Sequence, residues 1–535
     1  MQLKDLLDGF MRIQRRSEKA APEILRKTFV DVGPLTTLLS ITDNQTLFGR
    51  RGTGKTHVLQ FLGSKQRENG DLSVYIDLSN LGSSGSIYSD TSRSIPERAT
   101  RLLVDTLLAV HDSLLEAVLA SDNLDLSHFG PVLDELAKAA TRIQVVGNVE
   151  TEAQTGLEQT ENVSSKSSLG LTEKGVKLEG EFGGSNEQTQ KQQFRKKLTG
   201  VETYVLHFGE ISSALRSLEK LLGKRRLWVL LDEWSNLPLE LQPYLGDLIR
   251  RTFFVMQNVT VKIAAIEYRS RFILSGENRS YLGIELGADV ATNVNLDDFM
   301  VFDNDVTQST KFHRQLLYNH LLEAGDLIST DIPDARELTR LSFTQDSVFS
   351  ELVRAGEGIP RDFINILSLA AQYSNNEKIS INIVRKAALS WYQTGKANTL
   401  RAKDDANRIL EWVVEKVIKH RKTRAFLVNT KKRYLLLEEL FDARVVHVIK
   451  RRVSSNDLPG ERFDVFKLDY GCYVDLIGTS NAPQGLFVAE INEGTSGYVE
   501  VPSDDYRSIR RAILDFDEFS KQALAKDTTP ETAQK

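Results

Sequence analysis

The stretch "TLFGRRGTGKTHVLQFL", from Thr46 to Leu62, sets an apolar run before eight consecutive residues that are polar or glycine, and a helix-like pattern follows. Gly49, then four residues, then Gly54-Lys55-Thr56 satisfies the phosphate-loop spacing G-x-x-x-x-G-K-[ST]. Gln45 to Phe48 reads as the end of a buried strand, and His57 to Leu62 as the start of a helix whose unpaired N-terminal amides face the loop. Glycines at 49, 52 and 54 let successive N–H groups converge on one anion. The whole loop, Gly49, Arg50, Arg51, Gly52, Thr53, Gly54, Lys55, Thr56 and His57, is therefore expected to bind a nucleotide. Lys55 would reach the β- and γ-phosphates of ATP, and Thr56 would hold Mg²⁺.

Such a loop needs a carboxylate on a second strand. "RRLWVLLDEWSN" supplies it, because Leu227 to Leu231 is an unbroken apolar run and Asp232-Glu233 stand where that strand ends. Asp232 is expected to orient Mg²⁺, and Glu233 to polarise an attacking water. "LSVYIDLSN", "VTVKIAAIEYRSRF" and "NVNLDDFMVF" (Asn293 to Phe302) add candidate strands. Strands alternating with helices predict a parallel α/β sheet.

Composition agrees with this class. The chain has 535 residues, 41% apolar and 26% charged, enough for about two to four domains with proper cores. No apolar run is long enough for a membrane span, and no secretory signal is read at the N-terminus, so no membrane partner is expected. One cysteine, Cys472, and the lack of Cys/His pairs at ligand spacing exclude an internal disulfide and a structural zinc site, and fit a reducing cytoplasm.

Taken together, "GRRGTGKTH", "LLDEW", the strand "KIAAIEY" and the segment "GEGIPRDFINIL" resemble the AAA+ P-loop ATPases. Within them, the resemblance is to the initiator clade of origin-recognition-complex subunits and cell-division-cycle loaders, and to its prokaryotic members. It covers roughly residues 25 to 400. It implies a helical lid after the sheet, with Arg361 of "GIPRD" as the lid arginine that contacts the γ-phosphate; proline in a helix's first turn is compatible with that place. It puts Glu267 at a position usually held by a neutral polar residue, where a carboxylate would be repelled by the phosphate unless Mg²⁺ or an arginine stood between them. It also implies an arginine finger acting on a neighbouring copy, for which Arg250, Arg251, Arg269 and Arg271 are the candidates.

The segment 145–195 is rich in Gly, Ser, Thr, Glu and Gln and interrupts the strand pattern as an insertion. Faint alternation in "GVKLEGEF" allows a polar β-hairpin there. Beyond residue 400, "ANRILEWVVEKVIKHRKTRAFLV" and "KRYLLLEELFDARVVHVIKR" read as helices and "ERFDVFKLDYGCYVDLIG" as a β-hairpin, an order that resembles a winged helix. Between Lys416 and Arg452 twelve basic residues face three acidic ones, an excess of nine positive charges in a chain of net charge −5. That excess is the footprint of contact with double-stranded DNA through 416–452.

The expected architecture is an AAA+ base over 1–300, a helical lid over 301–400 and a winged-helix-like α+β domain over 401–535. The expected function is that of an ATP-binding and hydrolysing initiator-like switch on DNA. The alternative is a signalling or antiphage-defence NTPase that self-associates or assembles with an effector protein.

Overall fold

The computed structural model describes residues 3–14, 21–81, 86–121, 124–152, 159–161, 179–181, 195–204, 206–276, 281–290, 292–301, 305–325, 332–400, 403–419, 424–454, 460–477 and 513–519. The chain is α/β. Its strands are β1 (Gln45–Phe48), β2 (Leu72–Asp77), β3 (Ile143–Glu152), β4 (Gln159–Glu161), β5 (Glu179–Glu181), β6 (Arg195–Tyr204), β7 (Leu227–Asp232), β8 (Val259–Ala265), β9 (Ile273–Ser275), β10 (Tyr281–Gly283) and β11 (Thr292–Asn295). Strands β12 (Ala425–Asn429), β13 (Val446–Ser454), β14 (Arg462–Leu468) and β15 (Ile513–Leu514) follow. The helices used below are α1 (Lys55–Glu68), α2 (Leu296–Met300), α3 (Pro360–Tyr373), α4 (Asp404–Val414), α5 (Leu435–Asp442) and α6 (Tyr470–Ile477).

Five strands form one sheet in the order β11-β1-β8-β7-β2. β2 and β7 run parallel, from Leu72 opposite Leu227 to Asp77 opposite Asp232. Every residue of β7 and β8 is buried, as expected of strands covered on both faces. The strand predicted over 293–302 is shorter: β11 ends at Asn295, whose side chain accepts the Asp297 N–H at 3.0 Å and caps α2. That cap turns the chain from sheet to helix.

The described residues fall into two compact units, one of residues 1–65, 263–270 and 293–535, the other of 66–262 and 271–292, with the boundary inside β8. In the second unit the insertion is framed by an antiparallel ladder of β3 and β6, from Ile143 opposite Tyr204 to Glu152 opposite Arg195. Ile143, Val145, Val146, Val149 and Thr151 give β3 the β-branched content of a strand. The hairpin expected at 175–182 does not form on itself where it is described. Glu179–Glu181 pairs instead with Arg195–Lys197. Most of the segment between β3 and β6 lies outside the described residues.

In the first unit a run of helices from Val306 to Trp391 leads to the C-terminal part. There the sheet order is β13-β14-β12-β15, antiparallel except for β15 on β12. This is α+β, but the element bounds differ from those predicted. The helix expected over 432–451 stops at Asp442, because Arg444 adopts a left-handed φ of 61° and the β-branched run Val445-Val446-His447-Val448-Ile449 favours a strand. The hairpin is therefore β13–β14. Its expected second arm becomes α6, since the Asp469 carboxylate accepts the N–H groups of Gly471 and Cys472 and starts a helix.

The β3–β6 ladder ends in facing residues, so a two-residue Asn-Gly turn can close it directly. Replacing residues 153–194 by Asn-Gly is expected to leave the melting temperature within about 2 °C of the parent, because removing a long polar loop lowers the entropy cost of closure. A larger fall in calorimetry would mean that the removed residues are packed.

Candidate functional site

The loop between β1 and α1 has the backbone that the glycine spacing predicts. Gly52 and Gly54 sit at φ +84° and +94°, a region that disfavours side chains. At Gly52 a Cβ would come within 2.7 Å of the Arg361 Cβ. The Lys55 ammonium is folded onto the loop, donating to the Gly49 carbonyl at 2.9 Å and the Arg50 carbonyl at 3.1 Å. Thr53 closes the turn through its hydroxyl, which donates to the Arg50 carbonyl at 2.9 Å. Thr56 lies buried in the first turn of α1. His57 turns its Nε2 to the Leu25 carbonyl and lies edge-on to Phe29, so its imidazole anchors the 22–29 segment to α1. Burial there pushes its pKa down.

Arg361, expected to be a lid arginine, stands on this loop. Pro360 opens α3, and the Arg361 N–H donates to the Gly52 carbonyl at 3.2 Å. The preceding turn demands the residues "EG": Glu357 has φ 52°, and at Gly358 (φ +71°) a Cβ would lie 2.2 Å from the Met300 carbonyl oxygen. Any side chain at 358 would push this turn away from the end of α2.

Arg50 is the member of the loop with the most partners in the interior. It is 1% exposed. Its Nε donates to Asp297 Oδ1 at 2.7 Å, its Nη2 to the Glu357 carbonyl at 2.9 Å, and its Nη1 meets His447 Nδ1 at 2.5 Å. A guanidinium can only donate, so His447 Nδ1 accepts and its Nε2–H donates to Asp469 Oδ2 at 3.0 Å. The imidazole is thus neutral. Burial first, and then the Arg50 charge, hold its pKa well below the usual range.

From these partners the network spreads. Asp469 and Asp362 share the buried Lys396 ammonium, and Arg444 also binds Asp362. Glu357 receives Arg424 and Lys467. Desolvation alone would raise the Asp362 pKa, but Lys396 and Arg444 hold it below its ordinary value. These ions are taken out of water, except Arg444 at 14% exposure, and each is paired, which is the condition for such a cluster to persist.

The turn after β8 faces the same C-terminal elements. Glu267, expected beside the phosphates, is bound to Arg451 of β13 at 2.6 Å. Burial raises its pKa, and Arg451 offsets part of that rise. Arg269 binds Asp442 at the end of α5 at 2.9 Å, and Arg51 of the loop lies 3.8 Å from the same carboxylate. Among the other finger candidates, Arg250 and Arg251 both pair with Asp247. The Arg271 side chain is exposed.

At the end of β7, Asp232 is fully buried. Its Oδ2 accepts from the Tyr75 hydroxyl at 2.8 Å and its Oδ1 from the Glu233 N–H at 2.8 Å. Glu233 has a left-handed φ of 56°, uncommon for a residue with a side chain, and its Oε2 accepts from Asn236. The Thr56 hydroxyl and the Asp232 carboxylate are hard oxygen donors. Each is a donor of the type that suits Mg²⁺, Thr56 in the first unit and Asp232 in the second.

The basic segment is less free than its composition implies. Arg424 and Arg444 belong to the interior cluster above, Arg451 to a half-exposed pair with Glu267, and Lys416, Lys431, Lys432 and Arg433 pair with Glu518, Glu461, Asp517 and Glu438. Lys450 and Arg452 are exposed on β13. Sequence reasoning did not single out Tyr75, Asp297, Glu357, Lys396, His447 or Asp469. A hint was present in "HVIKRRV", where a histidine interrupts an apolar β-branched run.

No family model matches the sequence, and no curated protein does. Among solved structures, the chain is similar to that titled as the Aeropyrum pernix Orc1 protein in complex with DNA, at 12% identity over 85% of this chain and 95% of that one, with a TM-score of 0.32. A likeness of that size decides neither fold nor function. No described helix is long and apolar enough to cross a membrane.

His447 gives the network a pH signature. The unfolded chain takes up a proton near pH 6.5, whereas the folded histidine does not until well below that. Its contribution is therefore complete above pH 6.5 and is lost as pH falls. His447→Gln can accept from Arg50 and donate to Asp469 without titrating. It is expected to flatten the dependence of unfolding free energy on pH between 5 and 6.5 by up to about 1.4 kcal/mol per pH unit, measured by urea denaturation. His313 and His320, both lowered to about 4, keep their own share of the slope. An unchanged slope would show that His447 is protonated in the fold.

Proposed function

We propose that the chain is an ATP-binding and hydrolysing AAA+ switch of initiator-like type, whose C-terminal part reports the state of the phosphate loop to a partner. The observation that carries this reading is the seating of Arg361 on Gly52 at the start of α3, which brings the lid arginine to the loop. In this reading the loop amides and Lys55 hold the β- and γ-phosphates, and Thr56 and Asp232 hold Mg²⁺, which neutralises phosphate charge when bound. Glu233 orients the attacking water, and Arg361 leaves its present surroundings for the γ-phosphate. To reach phosphate, the Lys55 ammonium exchanges the Gly49 and Arg50 carbonyls for phosphate oxygens. That exchange alters the loop at the residue bonded to His447, and the C-terminal part feels it.

The reading as a DNA-acting switch is supported by Lys450 and Arg452, which stand exposed on β13. The pairing of seven other cations within the chain favours the second reading, in which an effector protein docks on the C-terminal part.

Lys55→Ala is expected to lower ATP affinity by at least about 100-fold in calorimetry. Glu233→Gln should bind ATP within about threefold of the parent while turnover falls at least about 100-fold. A Glu233→Gln chain hydrolysing at the parent rate would remove Glu233 from the chemistry. For the DNA arm, Lys450→Glu with Arg452→Glu should weaken binding to all duplex sequences alike. It should also reduce the salt slope by about 0.9 log unit per lost phosphate contact. A parent chain that binds no duplex at about 100 mM salt with ATP, ADP or neither leaves the effector reading.

A further inference from the structure

A cavity of about 300 Å³ opens in the first unit between the end of β12, α5, β14 and the turn after β8. Val428, Leu437, Phe441 and Phe466, all nearly buried, form its apolar floor. Tyr268 makes one wall, edge-on to Phe441 at 4.9 Å between ring centroids and tilted towards Phe466 at 6.4 Å. Lys431, Lys432 and Arg433 line the mouth. Their side chains are 64%, 56% and 55% exposed; Lys431 and Lys432 pair with the half-exposed Glu461 and the exposed Asp517, and Arg433 is held by both oxygens of Glu438, itself only 12% exposed. The two lysine pairs are exposed and contribute little, so an incoming anion competes with them readily. Asp464, Glu438 and Asn429 add two carboxylates and an amide to the wall, Glu438 already neutralised by Arg433.

We propose that this cavity is a second nucleotide site, separate from the phosphate loop, which takes one nucleoside phosphate with its base against Tyr268, Phe441 and Phe466 and its phosphate at Lys431–Arg433. The lining selects this class. Three aromatic rings around one hollow favour a flat ring, which gains stacking and edge contacts that an alkyl chain lacks. Three consecutive cations at the mouth favour an anionic end. A fatty acid would satisfy floor and mouth, but its chain would bury Asp464 and Asn429 against hydrocarbon. The ring and exocyclic N–H groups of a base can donate to Asp464 instead. Inorganic phosphate alone would leave the floor unused.

The placement also provides a route to the rest of the unit. Tyr268 lies between Glu267, which is bound to Arg451, and Arg269, which is bound to Asp442, the carboxylate nearest Arg51 of the phosphate loop. An occupant seated against Tyr268 bears on these pairs. The occupant can be a free mononucleotide or an unstacked nucleotide of a single strand, since the recognising chemistry is the same.

The test uses the full chain carrying Lys55→Ala, so that the loop does not contribute. It is titrated by calorimetry with AMP, GMP, UMP and a 5′-phosphorylated single strand of about ten nucleotides. One equivalent is expected to bind. Leu437→Trp, which fills the cavity, and the exposed pair Lys431→Gln with Lys432→Gln should each weaken it by at least about tenfold. Tighter binding of mononucleotides identifies a free effector, and tighter binding of the strand identifies a nucleic-acid source; both support the site. The glutamine pair reports on the mouth without touching the core, so a fold disturbed by Leu437→Trp does not blur the result. No binding by any probe, binding unchanged in both variants, or displacement by decanoate would overturn the proposal. ATP binding by a Leu437→Trp chain with Lys55 intact reads the phosphate loop alone, so failure there counts against the loop and not the cavity.

Discussion

A guanidinium withdrawn from water inside a glycine-rich loop must be answered by the rest of the chain. Arg50 is answered by a carboxylate from α2, a carbonyl from the turn before α3 and an imidazole from β13. Each of these partners is then constrained in turn. His447 must be neutral and donate to Asp469, Asp469 must cap α6 and hold Lys396, and Lys396 must also meet Asp362 in α3. Removing one partner of such a cluster strands a buried charge at a cost of about 3–5 kcal/mol, whereas each exposed pair at the surface contributes about 0–1 kcal/mol. The loop, α3 and the C-terminal sheet are held in one arrangement by this difference.

The same accounting changes how the basic segment is understood. An excess of positive charge in a stretch of sequence says nothing about where the side chains go. Arg424, Arg444 and Arg451 turn inward to acids, leaving exposed cations on β13 and at the loop before α5. Among the described residues of this segment, the exposed cations are Lys450 and Arg452 on β13 and the run Lys431–Arg433 before α5. Reversal of the expected Glu267 repulsion has the same origin, because Arg451 supplies the counter-charge from a strand nearly two hundred residues away in sequence.

Much was legible where the signal is local. Glycines at 52 and 54 imply left-handed backbone, a continuous apolar run implies the buried β7, and Pro360 implies the start of α3; each follows from a residue's own sterics or from nearest neighbours. Local reading failed where two propensities competed. Residues 445–454 carry enough charge to continue a helix but enough β-branching to pair with β14, and pairing prevails. Gly471 reads as a turn, yet the Asp469 cap places it in a helix pressed against Tyr392.

The sequence by itself determined the conformation of the glycine-rich loop and the acidic end of β7, which depend on spacing within about a dozen residues, and the α/β class, which follows from the alternation of such local patterns along the chain. Only the tertiary structure decided that Arg50 is an interior ion and not a surface one. Its partners lie 247, 307 and 397 residues along the chain. Nothing in local composition signals such pairings, since a charge buries only when folding delivers its counter-charges and hydrogen bonds to the same place at once.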